Sequence, residues 1–154
     1  MTQIIRKLRN RRGRRGQAVV ELALAAPLLA FLLVAATDFA RVFFLWIELN
    51  NAARAGVQYG AQSLIFAADA TGMKSAAAND ALDITGMTTT ASQCTCISGS
   101  SVPVCGAGYC SVNTNATFVK VDTQATFQTL FHYPGIPPST TISGQAIMQV
   151  SASS

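Results

Sequence analysis

The chain has 154 residues, half of them apolar and 12% charged, which is enough for one modest domain besides a membrane anchor. The formal net charge is +4, but residues 1–16 carry 7 of the 11 Lys and Arg and none of the 7 Asp and Glu. The remainder therefore carries 4 basic and 7 acidic residues, a net charge of −3. This distribution argues against a nucleic-acid-binding protein, because no folded basic surface follows the basic segment.

The basic segment 1–16 ends in Arg11-Arg-Gly-Arg-Arg-Gly16 and is followed at once by an apolar run. By the positive-inside rule, such a segment stays in the cytoplasm. We therefore predict a single-pass membrane protein with its N-terminus in the cytoplasm and its C-terminal domain on the other side of the membrane.

The apolar run from Gln17 to Thr37 has 21 residues, roughly 30 Å as a helix, which matches one hydrocarbon core. Glu21 is its only charged residue, and a charge in the apolar layer costs on the order of 2.5–3.5 kcal/mol on insertion scales. Glu21 is therefore a candidate functional residue. The alternative is a helix-start charge, favoured by free backbone N–H groups and the helix dipole. Pro27 predicts a kink or local melting, because proline removes one N–H donor and clashes with the preceding turn.

The order of these features resembles a known family. The segment Gly16-Gln-Ala-Val-Val-Glu21 is similar to a prepilin peptidase site, with cleavage after glycine and glutamate as the fifth residue of the mature chain. Together with Asp38-Phe-Ala-Arg41 and Leu49-Asn-Asn-Ala-Ala-Arg-Ala-Gly56, it resembles the TadE-like family, minor pseudopilins of Flp/Tad pilus systems. A weaker similarity covers Val119–Val150. At Leu22 the family usually has an aromatic residue.

The resemblance implies a structural subunit of the bacterial inner membrane, with its C-terminal domain in the periplasm. Such a subunit is the substrate of an enzyme and not an enzyme itself. A prepilin peptidase would cut between Gly16 and Gln17, and Glu21 would then guide assembly. The implied partners are that peptidase, other pilin or pseudopilin subunits, the inner-membrane Tad assembly platform and the lipid bilayer. The subunit would enter a cell-surface pilus, with a part in adhesion, or stay at its base. A major pilin fits less well, because the major Flp subunits have little outer domain.

Two other interpretations of the N-terminus stay open. Val34-Ala-Ala36 could serve a signal peptidase that cuts before Thr37 and releases a secreted periplasmic protein. The chain could also remain an uncleaved membrane protein without a pilus role. The intact mass of the protein isolated from membranes separates all three possibilities.

The helical pattern continues beyond the apolar run, with no Pro or Gly before Gly56. It predicts one helix from about Ala18 to about Ala68, whose outer part, 38–68, is amphipathic. The apolar face recurs every three or four residues, at Phe39, Val42, Phe43, Trp46, Asn50, Ala53, Val57, Gly60 and Leu64. The aromatic residues Phe39, Phe43, Phe44 and Trp46 begin where the chain should leave the hydrocarbon, as in an interfacial belt. The small residues Gly56 and Gly60 predict close packing, which we assign to the chain's own sheet rather than to another helix.

Residues 69–154 predict a small periplasmic domain. Asp69–Met73 is typical of a loop, and Ser75–Leu82 predicts a short helix with Ser75 as N-cap and Gly86 as stop signal. Alternation of apolar and polar residues predicts strands over Val119–Phe127 and Ile142–Val150, joined through a turn or loop at Tyr133–Pro138. The fold class is therefore α+β, with one long helix packed on a small antiparallel sheet.

The four cysteines, Cys94, Cys96, Cys105 and Cys110, fall within the loop-like stretch 94–110. An even number in an oxidising periplasm predicts two disulfides. One intervening residue disfavours a bond between Cys94 and Cys96, so two cross-pairings stay open. A four-thiolate zinc site is the rival, and its usual ligand spacing fits poorly here.

No catalytic constellation is apparent in the sequence. His132 is the only histidine, and the serines have no histidine and acid at motif spacing. No glycine loop of the phosphate-binding type occurs. We therefore predict no enzymatic activity, no cofactor and no metal.

Overall fold

The computed structural model describes residues 2–96, 116–131, 135 and 137–151, with side chains from residue 16 onward. The chain divides into two compact units, Met1–Ala40 and Arg41–Ser154, and one helix passes from the first into the second. The elements in chain order are α1 (Thr2–Gly60), α2 (Leu64–Ala68), α3 (Ala70–Asp80), β1 (Thr88–Cys96), β2 (Ala116–Gln128) and β3 (Ser139–Gln149). The predicted α+β class is confirmed.

The first unit is the N-terminal part of α1. The helix begins at Thr2, within the basic segment 1–16, whereas the apolar pattern predicted a start near Ala18. Among residues 16–40, every side chain except that of Asp38 is exposed or half-buried. This part of the helix therefore has no packed core within its own unit.

The second unit is built on a three-stranded antiparallel sheet in the order β1-β2-β3. In the register, Val121 of β2 pairs with Ala91 of β1 and with Ala146 of β3. The inward residues of β2 are those that the alternation predicted, namely Val119, Val121, Thr123, Ala125 and Phe127, and all five are buried. The predicted strands over 119–127 and 142–150 are confirmed, each with a few more residues at its start.

The core of this unit lies between the sheet and the last turns of α1. Leu49, Ala52, Ala53 and Val57 of α1 are buried, and Met73 and Ala77 of α3 join them. The buried hydroxyl of Thr123 donates to the carbonyl oxygen of Leu49 at 2.8 Å, so the one polar side chain of the inward row is satisfied.

Small residues bring α1 and the sheet into close contact. A Cβ on Gly56 would lie 3.1 Å from Val121, and one on Gly60 would press on Met73 and Val119. The predicted contact with the chain's own sheet is confirmed, but the nearest neighbour of both glycines is Met73 of α3, whose carbonyl oxygen would lie 2.9 Å from a Cβ on Gly56. Gly144 of β3 was not singled out, yet a Cβ there would lie 2.6 Å from the backbone carbon of Leu49.

The predicted single helix to Ala68 is wrong at its C-terminal end, because α1 stops at Gly60. The carbonyl oxygen of Ala61 accepts the N–H of Ser151 at 3.1 Å, where a continuing helix would use its own chain. Ser63 then caps α2, its hydroxyl accepting the N–H of Phe66. A contact with the C-terminal end of the chain therefore replaces one helical hydrogen bond.

The short helix was predicted, but its start was wrong. It begins at Ala70 with Asp69 as N-cap, not at Ser75, and it ends at Asp80. The residues assigned to a loop, Asp69–Met73, form its first turn. Asp69 is a favourable N-cap, because its carboxylate accepts the N–H of Gly72 at 2.9 Å. Gly86 lies beyond the helix with φ +75°, a left-handed conformation that glycine adopts readily.

Strand β1 was missed, and the stretch that begins at Cys94 was taken as loop-like. Cys94 and Cys96 instead end β1, where they pair with Phe118 and Ala116 of β2. The run Thr88–Ser92 has no apolar alternation, so the pairing with β2 makes this segment a strand.

Candidate functional site

The predicted processing site lies on an exposed part of α1. A Cβ on Gly16 would meet nothing within 4 Å, and Gln17 and Glu21 are exposed. The amide of Gln17 donates to the Glu21 carboxylate at 3.2 Å, across one helical turn. The structure therefore brings Gln17 and Glu21 together and leaves the Gly16–Gln17 bond uncovered by the described residues.

The apolar segment that follows is exposed along its length. Within the described residues, one helix is long and apolar enough to cross a membrane, and none of its most apolar window is buried. A signal sequence passes the same test of length and composition, but the buried core helix of a soluble protein would not be this exposed. This single N-terminal apolar helix indicates membrane anchoring.

Pro27 lies inside α1, and the helix is continuous through it. Local melting at this position is therefore not observed. In a helix interior, the missing N–H and the ring clash are still expected to bend the axis.

Most of the aromatic residues beyond the apolar segment lie on the predicted apolar face of α1, but they do not pack into the core of the second unit. Phe43, Phe44 and Trp46 are about half exposed, and the rings of Phe43 and Trp46 lie 5.9 Å apart. The predicted face is buried only further along, at residues such as Ala53 and Val57. The exposed rings fit a location at the edge of the bilayer.

Arg41 marks the beginning of the second unit. Its guanidinium carbon lies 5.3 Å from the centroid of the Phe127 ring, a cation–π distance. Phe127 is the last buried residue of β2, so this contact closes the core at that end.

The cysteines lie at the end of β1. Cys94 and Cys96 are buried, with Phe118 packed against them, and the two predicted disulfides stay a prediction. Cys105 and Cys110 lie outside the described residues, so which cysteine bonds to which stays a prediction.

A polar cluster that the sequence reasoning missed joins α1 to the start of α3. The hydroxyl of Tyr59 donates to Asp69 at 2.9 Å, and the N–H of Gly72 donates to the other carboxylate oxygen. The bond from Gly72, followed by that from Tyr59, lowers the pKa of Asp69. The bond to Asp69 is the largest cause of the raised pKa of Tyr59. An Asp three residues before a glycine in a helical pattern was the available signal.

Within the described part of the chain, no three His, Cys, Asp or Glu side chains lie close enough to hold a metal ion. His132, the only histidine, lies outside it.

Comparison with known proteins agrees with the N-terminal pattern. The family model described as TadE-like protein matches residues 16–58, which confirms the predicted family over these residues. No curated protein and no solved structure matches the chain.

Proposed function

We propose that this TadE-like, Tad pilus-associated protein is a minor pilin-like subunit that is made as a precursor, cut after Gly16 and assembled through α1. The observation that carries the proposal is Glu21, an exposed carboxylate in an exposed apolar helix, one turn from the residue that cleavage would make N-terminal. The family is a structural one, and the described residues offer no catalytic arrangement.

Cleavage would create an amine at Gln17, charged near neutral pH, next to the apolar layer. Leaving a charge unpaired in an apolar environment costs on the order of 3 kcal/mol on insertion scales. The Glu21 carboxylate of a neighbouring subunit would remove most of that cost by pairing with the amine. Such a pair would fix the axial register of two helices, which contacts between Leu and Ala side chains specify poorly.

Glu21 tests the assembly step. The variant Glu21→Ala should insert into the membrane at least as well as the wild type, because it removes a charge from the apolar layer. It should fail to co-purify with other pilin subunits. Glu21→Gln should behave nearly as badly, since it keeps the shape and loses the charge. Glu48→Gln, the same change in the outer part of α1, is the matched control. Normal subunit complexes in both Glu21 variants would leave Glu21 as a helix-start charge and refute the assembly role.

Gly16 tests the processing step separately. A side chain at this position meets nothing in the folded chain, so Gly16→Val should fold normally and remain full-length. The measurement is the intact mass of protein isolated from membranes. A wild-type N-terminus at Thr37 or at Met1 would contradict processing by a prepilin peptidase and would leave the secreted or uncleaved alternative.

A further inference from the structure

The turn between β2 and β3 lies at the Arg41 end of the second unit. Strand β2 runs antiparallel to α1, because Val119 faces Gly60, Thr123 bonds to Leu49, and Phe127 lies under Arg41. The residues that follow Phe127 are therefore at the Arg41 end of this unit. The chain enters the unit at Arg41 directly from the apolar segment.

The described part of this turn exposes apolar side chains. Phe131 is 56% exposed, and its neighbour Leu130 is exposed to a similar extent. No Asp, Glu, Lys or Arg occurs after Asp122, so no such charge has to be desolvated if the turn meets an apolar layer.

Polar backbone groups at the base of the turn are satisfied within the chain. The N–H of Thr129 donates to the carbonyl oxygen of Pro138 at 3.1 Å, and the Thr129 hydroxyl donates to the same oxygen at 3.3 Å. Because these groups are hydrogen-bonded within the chain, the free-energy cost of moving the turn out of water is lower.

The part of α1 at this end of the unit also exposes large apolar side chains. Phe43, Phe44 and Trp46 are exposed, and they lie about 9–14 Å beyond Thr37 along a regular helix. The interfacial layer begins where the hydrocarbon ends, and aromatic side chains are enriched there.

We propose that the β2–β3 turn, through Leu130 and Phe131, is a second contact with the lipid bilayer, in the interfacial layer beside the point where α1 leaves the membrane. We assign this contact to the bilayer rather than to a protein, because α1 continues directly from its apolar segment into this end of the unit. The contact would hold the sheet domain against the membrane surface. The inference rests on the membrane anchor and does not depend on a pilus role.

The single tryptophan of the chain makes the proposal measurable. The full chain is reconstituted in phosphatidylcholine vesicles that contain lipids brominated near the headgroup end of the acyl chains, which quench tryptophan at that depth. The wild type reports on Trp46, in the part of α1 that follows the apolar segment. Phe131→Trp combined with Trp46→Phe reports on the turn. Ile65→Trp combined with Trp46→Phe is the control, since Ile65 is 82% exposed in α2, beyond the opposite end of α1.

We expect the tryptophan at 131 to lose as large a share of its emission as Trp46, and the tryptophan at 65 to lose none. Quenching of Trp46 without quenching at 131 would overturn the proposal and keep the anchor. If the tryptophan at 131 became shielded from aqueous acrylamide only after a pilin subunit was added, the turn would be a subunit contact, and the proposal would again be wrong. Absence of quenching at both 46 and 131 would also overturn the proposal, because neither side chain would then reach the interfacial layer.

Discussion

The two parts of α1 differ in how much of their apolar side-chain surface is buried. Between residues 16 and 40 large apolar side chains project outward, and Leu24 is 75% exposed. Between residues 49 and 60 the face toward the sheet carries Leu49 and smaller residues such as Ala53 and Val57, and these three are almost completely buried. The second part therefore gains its stability from its own chain. The first part needs cover from outside, which a bilayer or neighbouring helices would supply.

The largest expected effect comes from the same substitution made in both parts. Leu49→Ala removes a fully buried side chain and should lower the free energy of unfolding of the second unit by about 2–5 kcal/mol. Leu24→Ala removes an exposed one and should leave that value unchanged. Denaturant titration of the full chain in detergent, followed by circular dichroism of the sheet, measures both. If both variants lost the same free energy of unfolding, the two parts of α1 would not differ in how they are stabilised.

A smaller effect is expected where the sheet approaches the helix backbone. Gly144→Ala places a methyl group 2.6–2.7 Å from backbone atoms of Leu49 and Asn50, which cannot rotate away. The cost should be about 1–3 kcal/mol, as for other overpacked sites. Gly16→Ala, which adds the same methyl group in open space, is the control and should not destabilise the fold. A Gly144→Ala variant of wild-type stability would show that the sheet moves freely against α1.

The smallest effect concerns the Tyr59–Asp69 contact at the end of the buried part. Because the pKa of Asp69 is lowered in the folded state, its contribution to stability is present above the unfolded value of about 3.9. It is lost as the pH falls through the folded value. The wild type should therefore exceed Asp69→Asn in stability at pH 6, and the difference should shrink below about pH 4.

Tyr59→Phe removes one of the donors to Asp69 and should reduce the same pH dependence in part. Thermal unfolding between pH 2 and pH 6 measures both variants. Parallel curves for the wild type and Asp69→Asn would show that the cap does not contribute to stability.

The sequence determined the features that depend on local pattern. The apolar run from Gln17 to Thr37 is an anchor candidate by its length and composition, and alternation in 119–127 identified the inward residues of β2. The spacing of Gly56 and Gly60 indicated close packing, and the order of motifs from Gly16 onward indicated the family. Each of these signals lies within a short stretch of chain, so no knowledge of distant contacts was needed.

Only the tertiary structure decided the features that depend on distant partners. The helical pattern of α1 continues past Gly60, but Ser151 takes the carbonyl oxygen of Ala61. Strand β1 has a Thr-rich sequence without alternation and becomes a strand because β2 lies beside it. The turn after Phe127 came to the Arg41 end of its unit because β2 runs antiparallel to α1. In each case the deciding contact joins residues far apart in the chain, and local propensity is too weak to specify it.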